Sequence, residues 1–260
     1  MKRAVLFLLL NLTICAIYAQ SQPVSQRLDA LLNDEILKTS EVGITVFDLT
    51  TGESLYRYQD EKLYRPASIE KVITSVTALA RLGADYTMDT HLRYTGKIEN
   101  DTLKGNLYLI GGFDPELMDE DLDSLVAAVE AQGIRYVTDT IAADVSMTDS
   151  VYWGPGWSWD DTPYSFQPYL SPLMLNRGCV DVSVSPAQKD SLPTVRCTPV
   201  SDYYRVCNRA VSRNPQAGKL EITRNWLSNG NVITVSGNVS RPYTGQVNIY
   251  TSKDFFFHTF

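Results

Sequence analysis

The sequence predicts an α/β chain: a helix, a β-hairpin and a second helix come first, and a longer α/β and β-rich region begins after Tyr86. Three observations carry this reading. Apolar side chains recur at helical spacing from Pro23 to Lys38 and again from Val72 to Leu82. A turn at Thr50-Thr51-Gly52 separates two strand-like runs. Beyond Asp85 short apolar runs alternate with polar turns, with one further helical stretch. At 260 residues the chain is long enough for a sizeable core.

Taken in order, Lys2-Arg3 precedes an apolar run from Ala4 to Ala16, and Ile17-Tyr18-Ala19 leads into polar Gln20-Ser21-Gln22. That is the pattern of a secretory signal peptide over residues 1–19, so a secreted, periplasmic location is expected. The run is too short to span a bilayer and no later stretch approaches the roughly 20 apolar residues required, so no stable membrane span is expected. Ile14 stands before Cys15 where a lipoprotein would carry a small residue.

Val24, Leu28, Leu31, Leu32 and Ile36 form a helical stripe within Pro23–Lys38. Val42 to Leu49 and Ser54 to Tyr58 read as the strands of a hairpin. Val72, Ile73, Val76, Leu79, Ala80 and Leu82 then mark a helix that stops at Gly83. In the longer region, 87–260, Leu92 to Gly96 and Thr102 to Ile110 suggest paired strands, Asp121 to Gln132 a helix, and the surroundings of Ile141 another strand. Trp153 to Tyr169 is too rich in Trp, Pro and Asp for one regular element. Val180–Ser185, Thr194–Thr198, Leu220–Arg224, Val232–Val239 and Gln246–Tyr250 read as short strands. The run Phe255-Phe256-Phe257-His258-Thr259-Phe260 would be costly to leave in water and reads as an element cut through, or else as an end tucked into the core.

Charge excludes one class of partner. The chain has 23 basic and 30 acidic residues; loss of Lys2 and Arg3 with the signal leaves 21 basic residues and a net charge of −9. Nucleic acid is therefore not an expected partner. Cys179, Cys197 and Cys207 would remain, an odd number without any C-x-x-C pair, so zinc is not expected and at least one thiol is unpaired or pairs elsewhere. Neither a metal nor a cofactor is implied.

Ser68-Ile69-Glu70-Lys71 is the one S-x-x-K in the chain and falls at the amino end of the second predicted helix. Residues three apart lie one turn apart on one helix face, so the two side chains can meet. A serine hydroxyl needs a neighbour to take its proton before it is a useful nucleophile, and a partly buried lysine, its pKa lowered by desolvation, can do so. The helix start would add N–H groups near a developing oxyanion. The plainer alternative makes Ser68 a helix cap and Lys71 a solvated surface residue.

The strand Val42 to Leu49, the turn at Thr51-Gly52 and Arg65-Pro66-Ala67-Ser68-Ile69-Glu70-Lys71-Val72 resemble the opening of the D-alanyl-D-alanine carboxypeptidases among the class C low-molecular-mass penicillin-binding proteins. The similarity continues through Leu82-Gly83-Ala84-Asp85-Tyr86 and Leu107-Tyr108-Leu109-Ile110-Gly111-Gly112-Phe113-Asp114-Pro115. The resemblance implies a transpeptidase/β-lactamase-like domain, present in part as residues 20–86, with 87–260 inserted into it. It implies Ser68 as acylated nucleophile, Lys71 as its base, peptidoglycan stem peptides as substrate and β-lactams as covalent inhibitors.

Gly156-Trp157-Ser158-Trp159-Asp160-Asp161, with Tyr164, Phe166 and Tyr169-Leu170-Ser171-Pro172, resembles that family's junction between insert and catalytic region. By position Asp161 and Phe166 would hold the stem-peptide side chain, a carboxylate for an ammonium and a ring for its methylenes. Equally, Trp157, Trp159 and Phe166 suit the packing of a domain junction, and the aspartates a turn cap.

The family completes its site with S-x-N and K-T-G. Neither K-T-G nor K-S-G occurs here, and Ser212-Arg213-Asn214 and Ser236-Gly237-Asn238 match S-x-N by letters alone, inside the β-rich region. The expectation is a truncated carboxypeptidase and endopeptidase; the rival from another class is a catalytically inactive module that binds peptidoglycan or a partner. A β-lactamase would lack so long an insert. A Ser-His-Asp hydrolase has only His91 and His258 to draw on and no G-x-S-x-G.

Overall fold

The computed structural model describes residues 23–260, and the expected signal peptide at 1–19 lies outside the described residues. The chain divides into two compact units, one ending at Asp85 and one running from Tyr86 to Phe260.

In the first unit, α1 (Val24–Leu32) and α2 (Glu35–Lys38) replace the single helix expected over Pro23–Lys38. The break has a local cause: the Asp34 carboxylate accepts the Ile36 N–H at 3.0 Å and caps a new helix, so the backbone leaves helical geometry there. β1 (Ile44–Asp48) and β2 (Glu53–Tyr58) form the expected antiparallel hairpin, with Ile44 opposite Tyr58 and a register shift after Val46. Asp48 folds its turn by accepting the N–H groups of Thr50 and Thr51. The second long helix, α3 (Glu70–Leu82), stops where Gly83 takes φ +86° and returns its N–H to the Leu79 carbonyl. None of the described residues up to Asp85 is buried.

The second unit holds the core. Its first part is a hairpin broken in the middle: β3 (His91–Tyr94), β4 (Lys97–Glu99), β5 (Thr102–Lys104) and β6 (Leu107–Ile110) replace the two longer strands expected. β3 pairs with β6 and β4 with β5, but in separate sheets. The cause is a glycine crossing. A Cβ on Gly96 would stand 2.0 Å from the Lys104 carbonyl oxygen, and one on Gly105 1.9 Å from that of Thr95. The ribbon bends sharply where its two backbones touch.

Helix α4 (Asp119–Ala131) starts two residues ahead of the expected helix, and the Asp121 carboxylate accepts the Met118 N–H at its start. Strands β7 (Tyr136–Val137) and β8 (Ile141–Asp144) then add in parallel to β5 and β6, giving sheets of order β4-β5-β7 and β3-β6-β8.

β9 (Cys179–Ser185), β10 (Thr194–Thr198), β11 (Arg205–Ser212), β12 (Glu221–Arg224), β13 (Val232–Val239) and β14 (Tyr243–Asn248) form two further sheets, β10-β9-β14 and β11-β13-β12. β11 was not expected, and β14 lies earlier than the run Gln246–Tyr250. β9 shows the alternation of a half-buried strand, Val180, Val182 and Val184 facing the core and Ser183 and Ser185 facing out. Those valines meet Leu173, Leu175, Ile233, Val235, Val247 and Ile249 in one cluster. The aromatic run is α5 (Ser252–Thr259), and it fills that cluster: Phe255 and Phe256 are both 0% exposed. No described helix is long and apolar enough to cross a membrane.

Candidate functional site

Ser68 lies in a 3-10 turn, Ala67–Ile69, that runs directly into α3, and Lys71 lies in the first turn of that helix. The spacing does what helical geometry requires: the Lys71 Nζ donates to the Ser68 Oγ at 3.0 Å. Ala67, just before the serine, is held at φ +46°, a left-handed conformation that costs an alanine about 1–3 kcal/mol and persists only where its surroundings enforce it. One restraint is visible. The Tyr64 hydroxyl stands 2.8 Å from the carbonyls of both Val42 and Gln59, and its ring lies so close to Gly43 that a Cβ there would meet it at 2.6 Å. The segment ahead of Ser68 is thereby fastened to the base of the hairpin.

Burial departs from the expectation. The reasoning for Lys71 called for a partly buried amine, yet Ser68 and Lys71 are both exposed. The same holds along the helix: Val72, Ile73, Val76, Leu79 and Leu82 are 52 to 69% exposed, an apolar stripe continuous with the face that carries Ser68. Desolvation of the lysine would require a surface laid over that stripe.

Asp161 and Phe166 lie in the other unit. Asp161 ends a 3-10 turn, Trp159–Asp161, whose backbone is closed by the Asp161 N–H on Ser158 and the Tyr164 N–H on Asp161. The loop is pinned from beneath by Gln167, 3% exposed: its amide donates to the Ser158 carbonyl at 2.8 Å, and its own carbonyl accepts from the Asn248 amide at 2.7 Å. Above this anchor Phe166 is 67% exposed and stacks on Tyr164, ring centroids 5.4 Å apart. Trp159 packs against Trp226 at 5.3 Å. Trp159 thus packs within the second unit, whereas Phe166 presents its ring outward beside the Asp161 turn.

Sequence reasoning passed over the groups that hold this region in place. Arg224, 2% exposed, donates from Nε to the Asn248 carbonyl and Oδ1 at 3.0 and 2.9 Å, and its other nitrogens reach the Gly230 carbonyl at 3.0 Å and the Tyr169 hydroxyl at 3.2 Å. Burial lowers its pKa from the usual arginine value. A single arginine on a strand carries no local signal of such a role.

Both letter matches to S-x-N are spent on local structure. The Ser212 hydroxyl accepts from the Ala187 N–H, Asn214 caps a turn, and the Asn238 side chain accepts from the Asn214 N–H. Cys179, Cys197 and Cys207 are free thiols; burial pushes Cys179 up to about 12 and Cys197 to about 11. Among the described residues no group of three or more His, Cys, Asp or Glu side chains is arranged to hold a metal.

Comparison with known proteins converges on one family. The sequence profile of the D-Ala-D-Ala carboxypeptidase 3 (S13) family matches residues 24–255. A D-alanyl-D-alanine carboxypeptidase of Actinomadura sp. (strain R39) is 32% identical over 200 residues, 75% of this chain and 37% of that protein. The D-alanyl-D-alanine carboxypeptidase DacB of Haemophilus influenzae is 29% identical over 148 residues, 57% of this chain and 31% of that protein. The chain thus spans about a third of the length of these relatives. The crystal structure of penicillin binding protein 4 (dacB) from Haemophilus influenzae matches the fold with a TM-score of 0.64 at 23% identity, over 82% of this chain and 48% of that one. The same protein complexed with a novel β-lactam matches with a TM-score of 0.59 at 20% identity, over 84% and 46%.

Proposed function

The chain belongs to the D-Ala-D-Ala carboxypeptidase 3 (S13) family, and from that premise we propose that it carries the acylating half of a serine-type carboxypeptidase and endopeptidase acting on peptidoglycan stem peptides. The observation that carries the reading is the Lys71 Nζ at 3.0 Å from the Ser68 Oγ, at the start of α3. Ser68 attacks the carbonyl of the terminal peptide bond while Lys71 takes the hydroxyl proton. The proton passes to the leaving amine, D-alanine departs, and water hydrolyses the acyl-enzyme. Neutral lysine is the form that accepts the proton, so the step requires Lys71 to be desolvated.

No K-T-G occurs in these 260 residues, and the two S-x-N letter matches serve local structure. The 37% and 31% coverage of the two relatives accords with that. Asp161 and Phe166 take the stem-peptide side chain, its ammonium on the carboxylate and its methylenes on the ring. The apolar run behind Lys2-Arg3, which has the pattern of an export signal, supports a periplasmic site of action.

A second reading, an inactive binding module for peptidoglycan or a partner, is favoured by one observation: among the described residues, every buried one lies beyond Asp85, in the unit without Ser68. A fluorescent penicillin separates the two. Covalent labelling of the folded chain that disappears in Ser68→Ala supports the acylating pair. An unlabelled but folded chain denies these residues acyl transfer on their own and leaves the binding module standing.

A further inference from the structure

A cavity of about 570 Å³ in the second unit opens along β8 and the loop that follows it. β8 is an edge strand: in the sheet β3-β6-β8 its one partner among the described residues is β6. In a parallel ladder alternate residues direct their N–H and C=O to opposite sides. Asp144 faces β6, since its carbonyl accepts the Gly111 N–H at 3.0 Å, and Ala142 shares that side. Ile141 and Ala143 therefore turn N–H and C=O away from the sheet, and Ala143 lines the cavity.

The walls carry opposite charges. Asp144 accepts from Ser146, whose backbone N–H stands at 2.9 Å and whose hydroxyl also reaches the carboxylate, while Asp149 gives one oxygen to the Val151 N–H at 3.0 Å and keeps the other. Lys253 lines the same cavity; its recorded ion pair is a 3.5 Å contact with Asp254, between side chains 40 and 50% exposed. Such a contact is worth little. Tyr152 lines the cavity together with Lys253, and its ring is fixed edge-on to Tyr169 at 5.3 Å. Its hydroxyl has no hydrogen-bond partner among the described residues. The Ser171 side chain, 4% exposed, accepts from the Leu173 N–H and retains its own hydrogen to donate.

We propose that this cavity binds the carboxyl-terminal end of a short extended peptide, which adds to the sheet as a strand along the free edge of β8 and sets its terminal carboxylate on Lys253 and the Tyr152 hydroxyl. The edge supplies main-chain pairing at Ala143, and the free oxygen of Asp149 receives a cationic or N–H group of the same peptide. A four-residue strand is about 13 Å long at roughly 3.3 Å per residue, so the site takes about four residues. This binding does not involve Ser68.

The test uses the chain with Ser68→Ala, so that acylation plays no part. A four-residue peptide of alanine and valine is titrated as the free acid, as the carboxamide, and with alternate amides N-methylated. The free acid is expected to bind saturably, at least about tenfold more tightly than the carboxamide, the scale of one charge-assisted contact of roughly 1.4 kcal/mol. Lys253→Met should remove that preference, Tyr152→Phe should reduce it, and one of the two N-methylation registers should abolish binding. Absence of saturable binding to the folded chain overturns the proposal. So does a preference for the acid that survives in folded Lys253→Met, or equal tolerance of both N-methylation registers.

Discussion

Replacing Arg224 by methionine keeps the length and apolar stem of the side chain and deletes the guanidinium. In the native chain that group donates to four acceptor atoms: two on Asn248, the Gly230 carbonyl and the Tyr169 hydroxyl. It also lies over the Tyr169 ring, 5.5 Å from its centre. A buried acceptor stripped of its donor costs about 1–3 kcal/mol, so two or three orphaned here would cost roughly 2–9 kcal/mol. Relief of a desolvated cation and the fit of methionine offset part of that, leaving a net loss of about 3–5 kcal/mol. All four tryptophans, Trp153, Trp157, Trp159 and Trp226, lie in the second unit, so their fluorescence in a urea titration reports on that unit. With a slope near 2 kcal/mol per molar urea, the midpoint should fall by about 1.5–2.5 M at unchanged slope. Arg224→Lys, which retains one donor direction, should fall between. A loss below about 1 kcal/mol in Arg224→Met would show that water satisfies these carbonyls and that the arginine is not their support.

Native chain treated with iodoacetamide at pH 8 should leave Cys179 and Cys197 unmodified, since burial raises both thiols to about 12 and 11, while urea-unfolded chain is alkylated at both; peptide mass mapping reads this, and fast native labelling of Cys179 would contradict it. Gly96→Ala should destabilise the second unit by more than about 2 kcal/mol, because φ +98° and a Cβ 2.0 Å from the Lys104 oxygen both resist it; a midpoint like that of the native chain would mean the ribbon can open there. The Arg177 guanidinium, which grips Glu116 through two bonds, holds that carboxyl below its ordinary value of 4.5. A carboxyl depressed on folding contributes stability above its unfolded pKa and loses it as pH falls through the folded one. Carboxyl-carbon NMR should therefore find Glu116 titrating below 4.5 and returning toward it in Arg177→Met.

Where one residue type settles its own backbone, the sequence was legible. Gly83 ended α3 where the spacing placed it, and the alternating valines of β9 and the Ile233 and Val235 alternation of β13 marked both strands. β11 escaped because Arg205, Asn208 and Arg209 interrupt its apolar pattern; it is held by parallel pairing to β13, whose residues lie 27 positions further on. The split between α1 and α2 was written in Asp34, an Asx cap masked by the apolar stripe on either side. At the site, the proximity of Ser68 and Lys71 followed from three-residue spacing on a helix, and the geometry agrees. Their exposure did not follow, because burial depends on what is laid over α3 and no property of S-x-x-K encodes that. Gln167 and Arg224 were equally silent: their partners, 81 and 24 residues away, meet them only in the folded unit.

The pairing of β9 with β14 also fixes an order of assembly during synthesis. Val184 lies opposite Tyr243 and Cys179 opposite Asn248, and Asn248 in turn receives Arg224. A nascent chain that has not reached Tyr243 leaves one edge of β9 open and Arg224 without two of its acceptors. The second unit must therefore wait for nearly its last strand before its core can close, and until then the valines of β9 are an adhesive edge on which a chaperone, or a neighbouring nascent chain, can settle first.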